Sequence, residues 1–151
     1  MDSASNPPLG LGYLLHLVLS ALRSDINSTV LVPFELSFPQ YICLRLLSKF
    51  PGRSNAELAR GTGVSPQAMN MVVLGLEERG LVSRPSSVAS GRSLPAQLTR
   101  AGHQLLSRTD EGVRAAERRL MFDLSAEQQR EFVGMLTTVA AGSHLDSGLA
   151  T

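Results

Sequence analysis

The sequence predicts a mainly α chain with a small β-hairpin wing attached to a helix-turn-helix. Three observations carry this. Apolar residues recur every three or four positions along most of the 151 residues, and the period drops to two only once, around 81–98. Helix starts are marked by serines in capping positions at Ser37, Ser54, Ser65 and Ser125. Two short helical segments are joined by Gly61-Thr62-Gly63, a turn suited to a helix-turn-helix.

Taken in order, residues 1–8 form a polar, Pro-ended tail that is expected to be mobile, as is the tail at 143–151. From Leu9 to Leu31 the residues Leu11, Leu15, Val18, Leu22, Ile26 and Val30 follow a helical period that Pro33 stops. Ser37-Phe38-Pro39-Gln40 reads as a capping box opening a helix with Tyr41, Leu44 and Leu47 on one face, ended before Pro51-Gly52. Ser54-Asn55-Ala56-Glu57 is a second box, starting a short helix that stops near Gly61 or Gly63. Ser65-Pro66 places an N-cap before a first-turn proline, and that helix runs to Arg79, with Gly80 at the C′ position. Leu81–Arg84 and Leu94–Leu98 read as two strands around a turn-rich tract, with Pro95 confining the second to an edge. A long helix follows from Thr99 to about Phe122. Ser125-Ala126-Glu127-Gln128 caps a last one to about Ala141.

Composition removes several function classes. Fourteen basic against thirteen acidic residues exclude a polybasic chain and an acidic solvating tail. One cysteine excludes an internal disulfide framework and a cysteine-rich zinc module. The longest uncharged apolar run, Leu9 to Leu22, is shorter than the roughly 20 residues of a membrane span. No basic start precedes it, so no export signal is read, and a cytoplasmic protein without membrane contact is expected. The histidines lie in no metal-ligand spacing, and no P-loop, nucleophile elbow or dinucleotide fingerprint occurs. Neither an enzyme nor a cofactor-binding protein is expected.

A helix-turn-helix offers its second helix to the major groove, N-terminal residues first. Here Gln67, Ala68, Asn70 and Met71 are expected to face outward, and Met69, Val72, Val73 and Leu76 inward. Gln and Asn suit adenine edges, and Ala or Met suits a thymine methyl. No basic residue lies between Val64 and Glu78, so phosphate attraction must come from elsewhere. Residues 53–102 supply it, with six arginines against three glutamates. Arg92 is placed at the wing tip, where a guanidinium suits a narrow minor groove. The alternative is a winged helix that binds protein and no DNA.

The stretch NAELARGTGVSPQAMNMVVLGLEERGLVSR from Asn55, the segment GRSLPAQLTRAGHQLL from Gly91 and SFPQYICLRLL from Ser37 together resemble the MarR family of bacterial regulators, over roughly residues 10–141. The family's usual wing aspartate is Ser90 here, and a basic residue often found in its reading helix is Met71. The resemblance implies a homodimeric regulator of transcription, a repressor on a pseudo-palindromic operator of double-stranded DNA, released by a small, often aromatic and anionic ligand. On this reading 37–99 is the DNA-binding domain, and 9–36 with 100–142 form a helical dimerisation domain. The apolarity of the first and last helices agrees, and Leu14, Leu17, Val18, Phe132, Leu136 and Val139 are expected to bury against a partner. DNA contacts are expected from Ser54, Asn55, Ser65, Gln67, Ala68, Asn70, Met71, Arg84, Ser90 and Arg92.

For the ligand, His16, Ser20, Arg23 and Asn27 form a polar stripe on the first helix, and Tyr41 is placed to approach it. His16 and Arg23 suit a carboxylate; the competing reading is a solvated helix face. Some members of the family sense oxidants through a cysteine. Cys43 lies mid-helix between Ile42 and Leu44, which reads as a buried small hydrophobe, with a thiol sensor as the alternative.

Overall fold

The computed structural model describes residues 9–84 and 95–143. The tails and the wing tip, including Ser90 and Arg92, lie outside the described residues. Among the described residues, six α-helices and a two-stranded antiparallel sheet follow in the order α1 Leu11–Ile26, α2 Phe38–Lys49, α3 Asn55–Thr62, α4 Pro66–Glu78, β1 Val82–Ser83, β2 Gln97–Leu98, α5 Arg100–Leu120 and α6 Ala126–Gly142.

The caps act as their sequences imply. Ser37 with Gln40, Ser54 with Glu57 and Ser125 with Gln128 form complete capping boxes, and the Ser65 hydroxyl accepts from the Ala68 N–H at 3.1 Å. Gly63 and Gly80 follow α3 and α4 with φ of 71° and 68°, a region where a side chain is strained. The strands pair antiparallel, Val82 with Leu98 and Ser83 with Gln97.

The first helix departs from expectation. The apolar period predicts helix to Leu31, but α1 ends at Ile26 and a π-helical turn occupies Asn27–Leu31, followed by a 3-10 turn over Val32–Phe34. The physical reason is local. Ser28 and Thr29 hydroxyls donate to the carbonyls of Ser24 and Asp25, at 2.9 and 2.7 Å, competing with the helix ladder. Pro33 then offers no N–H to continue it. The widened turn points Val30 and Leu31 into the core.

That core lies where α2, α3 and α4 meet. Leu44, Leu47, Leu58, Met69, Val73 and Leu76 are fully enclosed, and Leu106, Val113 and Ala116 of α5 close it from behind. Two charged ties fasten α5 to its neighbours: Arg119 forks onto Asp25 at 2.8 and 2.9 Å, and Arg45 of α2 meets Asp110 at 3.1 Å. Two helices contribute little to this core. Ile26 is the one buried residue of α1, and α6 has none. Leu14, Leu17, Val18, Leu136 and Val139 are exposed in the single chain, and Phe132 is half-buried.

Candidate nucleic-acid interface and effector cleft

Helix α4 is built to be presented. Its inner face, Met69, Val73 and Leu76, is wholly buried, which fixes the rotation of the helix about its axis. Gln67, Ala68, Asn70 and Met71 therefore face solvent, and Met71 is 70% exposed. The Ser65 hydroxyl takes the Ala68 N–H, the Ser65 carbonyl takes that of Met69 and Pro66 has none, so the Gln67 N–H is left at the positive end of the helix dipole. The far end is held by Arg79, whose guanidinium donates to the carbonyls of Phe34 and Glu35 at 2.9 and 2.8 Å.

A polar network lies behind Asn70. Asn55, at the start of α3, is buried, and its Nδ2 donates to Asn70 Oδ1. Arg84, leaving β1, donates from Nη2 to Asn55 Oδ1 at 3.2 Å. Its Nε faces Glu77 of α4 at 3.7 Å, a distance for ion pairing rather than hydrogen bonding. Three elements of the winged helix are thus joined through one buried amide.

A cleft of about 460 Å³ opens between α1 and the start of α2, lined by Ser20, Arg23, Ser24, Asn27, Ser37, Phe38 and Pro39. The Arg23 guanidinium sits 4.8 Å from the Phe38 ring centroid, a cation–π distance. The cleft therefore combines one cation, hydroxyl and amide groups and an aromatic wall. Such a set suits a flat anion.

A family model described as the MarR family matches residues 34–93. The HTH-type transcriptional repressor Rv2887 of Mycobacterium tuberculosis is 52% identical over 136 residues, spanning 90% of this chain and 96% of that protein. The chain belongs to the MarR family. The crystal structure of the M. tuberculosis MarR family protein Rv2887 in complex with salicylic acid superposes with a TM-score of 0.76 at 50% identity, covering 88% of this chain and 98% of that one. The structure of the same protein in complex with DNA superposes with a TM-score of 0.75 at 46% identity, covering 87% and 98%.

Within this MarR-family fold the expected DNA-contacting residues fall into separate layers. Gln67, Ala68, Asn70 and Met71 share the outer surface of α4, and Ser65 caps its start. Ser54 is occupied with its cap, and Asn55 and Arg84 stand behind Asn70. Leu74 continues the outer face and is half exposed. It was missed because a leucine at helical spacing reads as core.

The expected effector residues separate as well. Ser20 and Arg23 line the cleft. His16 instead stacks on Tyr13, with ring centroids 6.5 Å apart. Tyr41 is buried, its hydroxyl accepts from Arg45 Nε at 3.1 Å, and burial pushes its pKa up. Phe38 and Ser37 were read only as helix-start residues, and nothing in their spacing marked them as cleft walls.

Cys43 is fully enclosed in α2. Burial pushes its thiol up to about 12, with nearby Arg84 opposing weakly. A thiol in that state is protonated at neutral pH and lacks the accessible thiolate that oxidant sensing needs. Among the described residues, no group of His, Cys, Asp or Glu has the geometry to hold a metal, and no single helix is long and apolar enough to cross a membrane.

Proposed function

We propose that this MarR-family chain is a homodimeric, cytoplasmic repressor that binds a pseudo-palindromic operator and is released by an aromatic carboxylate. The observation that carries the reading is α4: a buried inner face, a capped N-terminus and an exposed polar and apolar outer face, beside a hairpin. Residues 37–99 act as the DNA-binding domain, and 9–36 with 100–142 as the dimerisation domain. A two-fold pair sets two α4 helices into half-sites one duplex turn, ~34 Å, apart. Arg84, at the end of β1, flanks them. No catalysis is assigned.

Release follows from which elements wall the cleft. Arg23 binds the carboxylate and Phe38 stacks on the ring. Phe38 begins α2, and α2 packs on α4 closely enough that a Cβ on Gly75 would lie 3.3 Å from Gln40 Nε2. A ligand that shifts the start of α2 against α1 thereby moves α4, and it lowers DNA affinity by its preference for the displaced state.

The test is binding of a labelled duplex from the protein's own promoter region, followed by anisotropy across a salt series. Affinity should fall steeply with salt, as phosphate contacts require. No binding at low salt would favour a protein-interaction module instead. Salicylate should release the duplex, and Arg23→Ala should raise the concentration needed about tenfold or more. An unchanged salicylate response in Arg23→Ala would remove the cleft from the mechanism.

A further inference from the structure

We infer that Asn70 is a specificity-determining residue whose hydrogen-bonding polarity is set from behind by Asn55 and Arg84, so that it offers the major groove donors only. The inference rests on α4 being the DNA-reading helix.

A guanidinium has N–H donors and no acceptor. Arg84 Nη2, 3.2 Å from the Asn55 side chain, therefore requires the carbonyl oxygen of that amide on its side. Asn55 is buried, so its other end has one place to go: its NH2 faces Asn70. An NH2 requires an acceptor, which turns Asn70 Oδ1 inward. The Asn70 NH2 is then left on the exposed side of α4, between Gln67 and Leu74. Arg84 is held in register by Glu77, about two turns further along α4, and by its own departure from β1.

A free asparagine pairs bidentately with adenine, accepting from N6 and donating to N7. The asparagine in this network has its oxygen committed inward. Its outward NH2 matches edges rich in acceptors, guanine N7 and O6 or thymine O4; adenine offers it N7 alone beside an opposing amino group, and cytosine only an amino group. The base preference at one operator position is thus written by two residues that touch no base. Asn55 and Arg84 are positioning residues in this scheme.

The relay makes an inverting prediction. In Asn55→Asp the carboxylate has acceptors only. It keeps Arg84 and forces the Asn70 NH2 to turn inward, leaving Oδ1 toward the groove. Asp also suits the first turn of α3. The experiment is selection of bound duplexes from a randomised library by the full-length wild type, Asn70→Ala and Asn55→Asp, with circular dichroism reporting the fold of each. Wild type should enrich guanine or thymine at one position of each half-site, at least about fivefold. Asn70→Ala should lose that preference alone, and Asn55→Asp should shift the same position to adenine or cytosine. A merely structural Asn55 would weaken all positions together.

Should Asn55→Asp not fold, Asn70→Asp replaces it. It accepts from Asn55 with one oxygen, presents the other outward, and should give the same shift. A folded Asn55→Asp or Asn70→Asp that retains the wild-type base, a wild type that prefers adenine there, or an Asn70→Ala without effect would overturn the inference while leaving DNA binding intact. A wild type that enriches no sequence would overturn the DNA-binding reading and this inference with it.

Discussion

Glu57 shows how much one side chain in a cap does. Its carboxylate takes the Ser54 N–H at 2.8 Å, the Arg53 guanidinium at 2.7 Å and the Ser54 hydroxyl at 2.9 Å. The Ser54 backbone bond first, then Arg53 and the hydroxyl, hold its pKa down to about 2 from an ordinary 4.5. A carboxylate depressed in the folded state stabilises fully above its unfolded pKa, and the gain is lost as pH falls through the folded value. Glu57→Ala should therefore destabilise by about 1–2 kcal/mol at pH 7. The gap to wild type should narrow from about pH 4 toward pH 2, measured by urea unfolding. A gap that stays constant from pH 7 to pH 3 would show that the charge plays no part. This box was legible in Ser54-Asn55-Ala56-Glu57 because every partner lies within four residues. The Asn55 network was not legible, since it joins residues 15 and 29 positions apart, and periodicity carries no information about such pairs.

Among the elements, the seam between hairpin and α5 is the least tolerant. Thr99 caps α5, donates its hydroxyl to the Gly80 carbonyl at 2.6 Å and its N–H to the Leu81 carbonyl at 3.1 Å. Directly below, a Cβ on Gly102 would lie 2.1 Å from the Leu81 oxygen. That contact is with backbone, so relief requires α5 to lift from the wing base. Gly102→Ala should cost about 2–3 kcal/mol despite the better helix propensity of alanine. Thermal unfolding checks it; a variant as stable as wild type would mean that α5 slides without cost. Helix starts and the antiparallel hairpin were readable beforehand because capping and alternation are local signals. The π-helical turn at Asn27–Leu31 was not, because its apolar spacing is that of an α-helix and hydroxyl bonds to the preceding turn decide otherwise.

At the scale of the whole molecule, α1 and α6 each expose a set of apolar side chains. Leu17 and Leu136 are 44% and 40% exposed, and Val139 is 68% exposed. Apolar exposure on this scale marks an association surface. Leu136→Asp should convert a dimer to a monomer in analytical ultracentrifugation and abolish operator binding, although Leu136 is remote from α4. A dimeric Leu136→Asp would place the association surface elsewhere. The winged-helix half was legible from sequence because it completes its core within one chain. The other half was legible chiefly as a surplus of leucine, since what it packs against is not encoded nearby. Helix α6 has no buried residue of its own, and this gives the protein a property beyond shape. Its melting midpoint should climb with dilution reversed, sample by sample, as mass action demands. A cell holding few copies would then have frayed, operator-blind subunits, and abundance itself would set the threshold at which silencing begins.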